Sequence, residues 1–391
     1  MVRRPSPGAI GARLLTALVA LVALSLAGCA RAGQAPVGGE AASGFAASAG
    51  TRLVVFPDDG LDPLLQLIDG AARTLDVYVF DLGSEAIEHR LTDAAKRGVR
   101  VRAIVEPNPT GRLAAARDTM TRLRRAGVAV KPAGRPFSKT HAKALAVDGA
   151  RAWIGTANFV DDWAVRRDYA VIVANANTVA ALARTFEQDW LGAATALRLP
   201  LPGGSVDPRS HLVISPNNGR SEVAALISGA RFSLYLQQDQ IDDPATMDLI
   251  ARRSAAGVDV RVVMSDDQAA RKAAAALRAR SPEIRVRLLR GPEVHAKLAI
   301  ADEARALLGS QNLTRQSLDT RREVGVLLDD PQVVGSLVGV FDRDFDQEED
   351  ETIALPRVTR GGTAPFLWGF VAGGLAVCAG AVVWSTGGRL R

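Results

Sequence analysis

The sequence predicts an α/β fold made twice over, a duplicated α/β/α sandwich whose two halves are related by a pseudo-twofold. Three observations carry this expectation. Short strands rich in β-branched residues alternate with helical segments between residues 52 and 131, the order that lays helices on both faces of a sheet. The same order returns in the second part of the chain. Two short polar stretches, one in each part, are spelled almost alike.

In order, residues 75–80 (Leu-Asp-Val-Tyr-Val-Phe) have the alternation and branching of a strand. Residues 84–97 follow with helical spacing, and Gly98 supplies a C-terminal cap. Residues 99–105 form a second strand closed by Pro107 and Pro109, residues 111–126 a basic helix, and residues 128–131 a short strand. The repeat answers each piece. Phe232-Ser-Leu234-Tyr235-Leu236 matches the first strand, and residues 257–263 match 98–105. Arg166-Arg-Asp168-Tyr-Ala-Val171 corresponds to Arg321-Arg-Glu323-Val-Gly-Val326, and Phe186-Glu-Gln-Asp-Trp190 to Phe341-Asp-Arg-Asp-Phe345. The halves are therefore placed at residues 51–200 and 201–350, with a Pro- and Gly-containing seam at 199–208.

The repeated polar stretches carry the chemistry. The first is His141-Ala-Lys143 with Asp148, then Gly155-Thr156-Ala-Asn158; the second is His295-Ala-Lys297 with Asp302, then Gly309-Ser310-Gln-Asn312. Both fit H-x-K-x(4)-D-x(6)-G-[ST]-x-N. Strand alternation puts His and Lys on one face, so two facing halves offer two imidazoles and two ammonium groups. That set suits a phosphodiester. Fixed Lys and Asn donors balance the anionic charge, a neutral imidazole attacks phosphorus, and a second, protonated imidazole serves the leaving alcohol. Asp148-Gly149 also reads as a hairpin turn, where Asp is favoured for backbone reasons.

The doubled pattern resembles the phospholipase D superfamily, over about residues 53–345. The resemblance implies two halves with mixed sheets and a covalent phosphohistidine, with no cofactor and no metal. It implies a catalytic set of His141, Lys143, Asp148, His295, Lys297 and Asp302, with His141 as nucleophile and His295 as general acid and base. Asn158, Asn312, Ser310 and Thr156 would hold the phosphoryl oxygens, and Asp168 and Glu323 would orient the imidazoles. Thr156 stands where Ser is more usual, and Asp168 is shorter than the usual Glu. With both motifs in one chain, a monomer is expected.

The ends suggest where the body works. Arg3 and Arg4, an apolar run at 14–26 and a small-residue site describe a secretory signal over residues 1–28. Leu26-Ala27-Gly28-Cys29 resembles a bacterial lipobox, implying a lipid on Cys29; a plain signal peptide is the alternative. Residues 29–50, rich in Ala, Gly and Ser, read as a flexible tether. After a linker at 351–363, the uncharged run 364–384 is long enough to span a bilayer, with Trp368 and Trp384 near its ends and residues 385–391 as a cytoplasmic tail. These features place the body outside the cytoplasm at a cell membrane.

Composition narrows the chemistry further. The only two cysteines are Cys29 and Cys378, so the body holds neither a disulfide nor a thiolate metal site. The formal net charge is +6, and removing Arg3, Arg4 and Arg13 with the signal leaves a weak basic bias that separates lipid from nucleic acid poorly. Of the four histidines, His89 reads as a surface residue and His211 as the cap of a strand. Glu106 and Asp266, at the ends of equivalent strands, could face the site. The leading expectation is a membrane-anchored phosphodiesterase or phosphatidyltransferase acting on phospholipid. The rivals are an extracytoplasmic nuclease, which would use Arg112, Arg117, Arg122, Arg124 and Arg125 on phosphates, and a catalytically silent envelope-binding protein.

Overall fold

The computed structural model describes residues 50–192 and 206–347. The signal, Cys29, most of the tether and of the seam, the linker and the run 364–384 lie outside the described residues. Among the described residues no helix is long and apolar enough to cross a membrane.

The first half runs β1 (Arg52–Phe56), α1 (Asp62–Asp69), β2 (Thr74–Val79), α2 (Glu85–Lys96), β3 (Arg100–Val105), α3 (Leu113–Arg125), β4 (Ala129–Pro132), β5 (Lys143–Val147), β6 (Arg151–Gly155), β7 (Arg166–Val173) and α4 (Ala176–Gly192). The second runs β8 (Leu212–Ser215), α5 (Gly219–Gly229), β9 (Ser233–Gln238), α6 (Pro244–Ala255), β10 (Asp259–Ser265), α7 (Gln268–Arg280), β11 (Arg285–Leu289), β12 (Glu293–Val294), β13 (Lys297–Ala301), β14 (Arg305–Gly309), α8 (Arg315–Asp319), β15 (Glu323–Leu328) and α9 (Pro331–Asp346). The first sheet is ordered β1-β7-β6-β5-β2-β3-β4 and the second β8-β15-β14-β13-β9-β10-β11. Position by position this is the same sheet. In each, the three strands around the crossover helices are parallel and the rest antiparallel, and β12 of the second half adds to β7 of the first in parallel. The duplicated, mixed-sheet α/β architecture expected from the sequence is what the chain adopts.

Local chemistry sets the boundaries. The Ser84 hydroxyl accepts from the Ile87 N–H at the start of α2, and Asp243 and Asp267 accept from Thr246 and Ala270 at the starts of α6 and α7. The basic helix expected from residue 111 starts at Leu113, because Thr110 and Gly111 take left-handed φ of 46° and 80° and interrupt the helical path. His211 is exposed at the entry to β8, and its carbonyl accepts from the Leu327 N–H at 2.8 Å.

Each half has its own outer core, and a third core is shared. Alternate residues of the motif strands go to different places, as a pleated strand requires. Leu145 and Val147 enter the first half's outer core, whereas Ala144 and Ala146 enter the shared one. In the second half, Leu298 and Ile300 enter the shared core while Ala299 and Ala301 turn outward. The shared layer thus takes small side chains from β5 and large ones from β13, with α4 and α9 filling the remainder.

Two buried guanidinium clasps join the halves. Arg322, ahead of β15, forks onto Asp189 of α4 at 2.7 and 3.0 Å, and Arg167 of β7 forks onto Asp344 of α9 at 2.8 and 3.1 Å. Tyr78 and Gln237 donate further bonds to Asp189 and Asp344. Bidentate pairs fix orientation as well as distance. Arg167→Met would leave Asp344 buried at 1% exposure without its guanidinium. Such a break costs about 3–5 kcal/mol. Chemical denaturation should show a loss of this size, whereas Arg209→Met, at an exposed pair with Asp207, should leave the midpoint unchanged.

Candidate active site

Each motif histidine is fixed by residues of the opposite half. The His141 N–H donates to the Arg322 carbonyl at 2.8 Å, and its Nδ1 lies 3.0 Å from Glu323 Oε2. The His295 N–H donates to the Arg167 carbonyl at 3.1 Å, and its Nδ1 lies 2.9 and 3.1 Å from the two oxygens of Asp168. Parallel pairings guide both approaches: β12 runs beside Arg166 and Arg167, and Thr140 bridges Arg322. An ionised carboxylate can only accept, so Nδ1 is the donor in both rings and Nε2 carries the reactive lone pair or proton. The acids expected to orient the imidazoles are thus in place, and they do so across the halves.

The carboxylates are themselves secured. Glu323 Oε1 accepts from the Ser317 hydroxyl at 2.8 Å. Burial would raise its pKa, but His141, Lys143 and the Ser310 hydroxyl hold it below the usual carboxylate range. Asp168 is likewise kept low against burial, by His295, Lys297 and the Thr156 hydroxyl. These hydroxyls bear on one expectation. Thr156 and Ser310 were aimed at phosphoryl oxygens, yet Thr156 donates to Asp168 and accepts from the Tyr169 N–H at 2.9 Å, and Ser310 accepts from the Val324 N–H at 2.9 Å. Both are fully buried and hold the strands that bear the acids. The motif glycine has a packing reason: a Cβ on Gly309 would strike the backbone of Gly325 on β15.

Lys143 and Lys297 are fully buried, and each ammonium donates to the carbonyl of its own motif histidine. Their other neighbours differ. Lys143 sits over the Phe80 ring, 5.1 Å from its centroid, and burial pushes its pKa well below the usual lysine range. Lys297 pairs instead with Asp239 Oδ2 at 3.2 Å. Burial opposes ionisation of Asp239, but Lys297 and His295 bring its pKa down to about 2. Phe80 also meets the His141 ring edge-on at 4.5 Å. Burial, with Lys143 and Lys297 added, lowers the His141 pKa to about 4 in spite of Glu323. The amide oxygens of Asn158 and Asn312 are buried and make no hydrogen bond within the protein, so both amides keep bonding capacity for a ligand.

Asp148 and Asp302, included in the catalytic set by sequence, are not brought to the histidines. Each lies at the far end of its motif strand in a left-handed turn, with φ of 55°. The Asp148 carboxylate accepts from the N–H groups of Ala72, Arg73 and Thr74, and that of Asp302 from Arg231, Phe232 and Ser233. The backbone need for Asp at the turn accounts for both. Glu106 receives the Thr140 N–H at 2.9 Å and so steadies the approach to His141, whereas Asp266 pairs with Arg271 and His89 is exposed. Phe80, Asp239, Ser317 and the two clasp arginines were not found as site residues by sequence. The matched Arg-Arg-Asp and Arg-Arg-Glu stretches were the available signal for the clasps.

Two imidazoles, each pinned at Nδ1 by a carboxylate of the opposite half, and two buried ammonium groups make up a site built from two half-sites. Residues 64–190 and 223–345 match the family described as cardiolipin synthase, PLD-like domain. The chain belongs to that family and so to the phospholipase D superfamily. A polyphosphate kinase from Porphyromonas gingivalis shares the fold at 20% identity with a TM-score of 0.59, over 75% of this chain and 46% of its own. This chain therefore spans about half of that protein's length. A phosphatidylserine synthase from Haemophilus influenzae Rd KW20 shares it at 14% identity and a TM-score of 0.59, over 76% of this chain and 86% of its own. Comparison with curated proteins finds no match.

The lowered His141 pKa predicts how stability responds to acid. The unfolded chain takes up a proton near pH 6.5 and the folded ring only near 4, so the stabilisation is complete above pH 6.5 and is lost as pH falls toward 4. The full effect is about 3 kcal/mol. Denaturation measured at steps from pH 7 to 4.5 should show this decline, and His141→Gln should flatten it.

Proposed function

We propose that the protein is a membrane-held phosphodiesterase or phosphatidyltransferase that works on glycerophospholipids through a covalent phosphohistidine. The observation that supports this chemistry best is the crossed pairing of His141 with Glu323 and His295 with Asp168. His141 Nε2, neutral at physiological pH, attacks phosphorus as the bond from phosphorus to the leaving alcohol oxygen breaks. His295 gives that oxygen its proton. Water or an acceptor alcohol then attacks phosphorus, passes its proton to His295, and the phosphorus–nitrogen bond breaks, returning both imidazoles to their starting states. Lys143, Lys297 and the amides of Asn158 and Asn312 carry the phosphoryl oxygens. Every proton and bond is accounted for by the chain and its substrate, with no metal or cofactor in the sequence of steps.

The lipid substrate is supported by the sequence at the ends. A lipid on Cys29 and a span over residues 364–384 would keep the body against headgroups on the outer side of a cell membrane. The nuclease reading loses support in the first half. Of the five arginines considered for it, Arg112 pairs with Asp81, Arg122 forks onto Glu88, and Arg124 donates to the Val130 carbonyl.

Full-length protein in detergent, assayed with excess chelator on phosphatidylcholine, phosphatidylglycerol and single-stranded DNA, tests the reading. Headgroup release should persist with chelator, vanish in His141→Ala and fall on the order of 10²–10⁴-fold in His295→Ala. Cleavage of DNA without lipid turnover would overturn the substrate, and loss of rate to chelator would overturn the mechanism.

A further inference from the structure

The duplication makes Phe80 and Asp239 equivalent. Val79 pairs with Lys143 and Gln238 with Lys297 in the same register, and the next N–H donates to Ala142 in one half and Ala296 in the other. At this position the halves differ as much as two side chains can, an apolar ring against a carboxylate. We infer that Phe80 and Asp239 are positioning residues that break the pseudo-symmetry of the site, keeping the proton off His141 and holding it on His295. This rests on the reading of the site as one that transfers a phosphoryl group through two histidines.

The charges around each ring differ accordingly. His141 faces Glu323 from β15, Lys143 from β5 and Lys297 from β13, with Phe80 against its ring; Asp239 also reaches it, more weakly than it reaches His295. One carboxylate at hydrogen-bond distance is set against two ammonium groups, and an aromatic edge takes the place of solvent. His295 faces Asp168 from β7, Lys297 from β13, Asp239 at the end of β9 and Asp162 from the loop before β7. There three carboxylates act together with the Lys297 ammonium. An imidazolium is disfavoured by burial and like charge and favoured by nearby carboxylates, so a ring at this position works against a proton and a carboxylate works for one. Asp239 is the member of the acidic side whose counterpart on the other side is not even polar. Its Oδ2 is engaged by Lys297, and its side chain keeps 25% exposure.

A symmetric pair of histidines would have no reason to divide the labour. Either ring could attack and either could hold the proton, and the role of each would be set only by where the proton lay when a substrate bound. A carboxylate in an anion-binding site weakens attraction for the phosphodiester. That cost is offset if the same charge keeps the acid loaded with its proton.

The four histidines of the chain allow direct observation. Full-length protein with isotope-labelled histidine, in detergent, is titrated by NMR, with His141→Gln and His295→Gln assigning the two site rings. In wild type, His141 should stay neutral down to about pH 4. In Asp239→Asn, His295 should give up its proton about one pH unit earlier than in wild type, with His141 moving less, and Asp239→Glu should restore the wild-type curve. Phe80→Asp should move His141 the other way, so that it accepts a proton at higher pH. With a chromogenic phosphodiester, the alkaline limb of the rate profile should shift with His295 in the same variants. An unchanged His295 titration in folded Asp239→Asn, or equal movement of both rings, would overturn the inference. Failure of wild type to turn over any phosphodiester would instead count against the proposed function, because the titration reads the proton without turnover.

Discussion

The orientation of both motif histidines depends on the docking of one half against the other. Neither imidazole finds its carboxylate, nor its backbone acceptor, within its own half. The dipeptide that does the holding, Arg322-Glu323 or Arg167-Asp168, performs three tasks at once. Its carbonyl takes the histidine N–H, its carboxylate takes Nδ1, and its guanidinium grips a helix of the half it reaches into. The orientation of a ring is thereby tied to the position of an entire helix, α4 for His141 and α9 for His295. A small displacement between the sheets would misplace both rings together, and misplacement by an ångström is enough to slow such chemistry severely.

The shared core supplies the rigidity that this arrangement needs. Three cores rather than two mean that the motif strands are buried on both faces, and the alternation in their sequence is between cores, not between core and water. Two buried lysines are tolerated in such surroundings because each ammonium has a carbonyl acceptor and a further partner, a ring in one case and a carboxylate in the other. The difference between those partners is where two copies of one design become two different half-sites.

Much of this was legible in the sequence, for physical reasons. Strand and helix alternation depends on neighbours a few residues apart, so the order of elements and the repeat could be read. The boundaries that moved did so where left-handed residues, Thr110 and Gly111, interrupt a helical pattern that side-chain spacing alone would extend. His141, Lys143, His295 and Lys297 stand at the fixed offsets of the repeated pattern, and Asp168 and Glu323 came from the family resemblance and the matched Arg-Arg-acid stretches. That the acids cross between halves could not be read, since spacing along the chain does not say which sheet a strand edge meets. Thr156, Ser310, Asp148 and Asp302 share the motif with the histidines, but their side chains are used by the backbone and by the acids. Phe80 and Asp239 were hidden for the opposite reason: a departure from a repeat is visible only when the strand register is known.

The unequal filling of the shared core has a consequence for how such a protein can change. The first half contributes Ala144 and Ala146 where the second contributes Leu298 and Ile300. Along these strands alone, two copies of β5 would leave the layer thin and two copies of β13 would crowd it. A β5 opposite a β13 fills the layer between the sheets, so these two strands are complementary rather than interchangeable, and the packing is as asymmetric as the site above it.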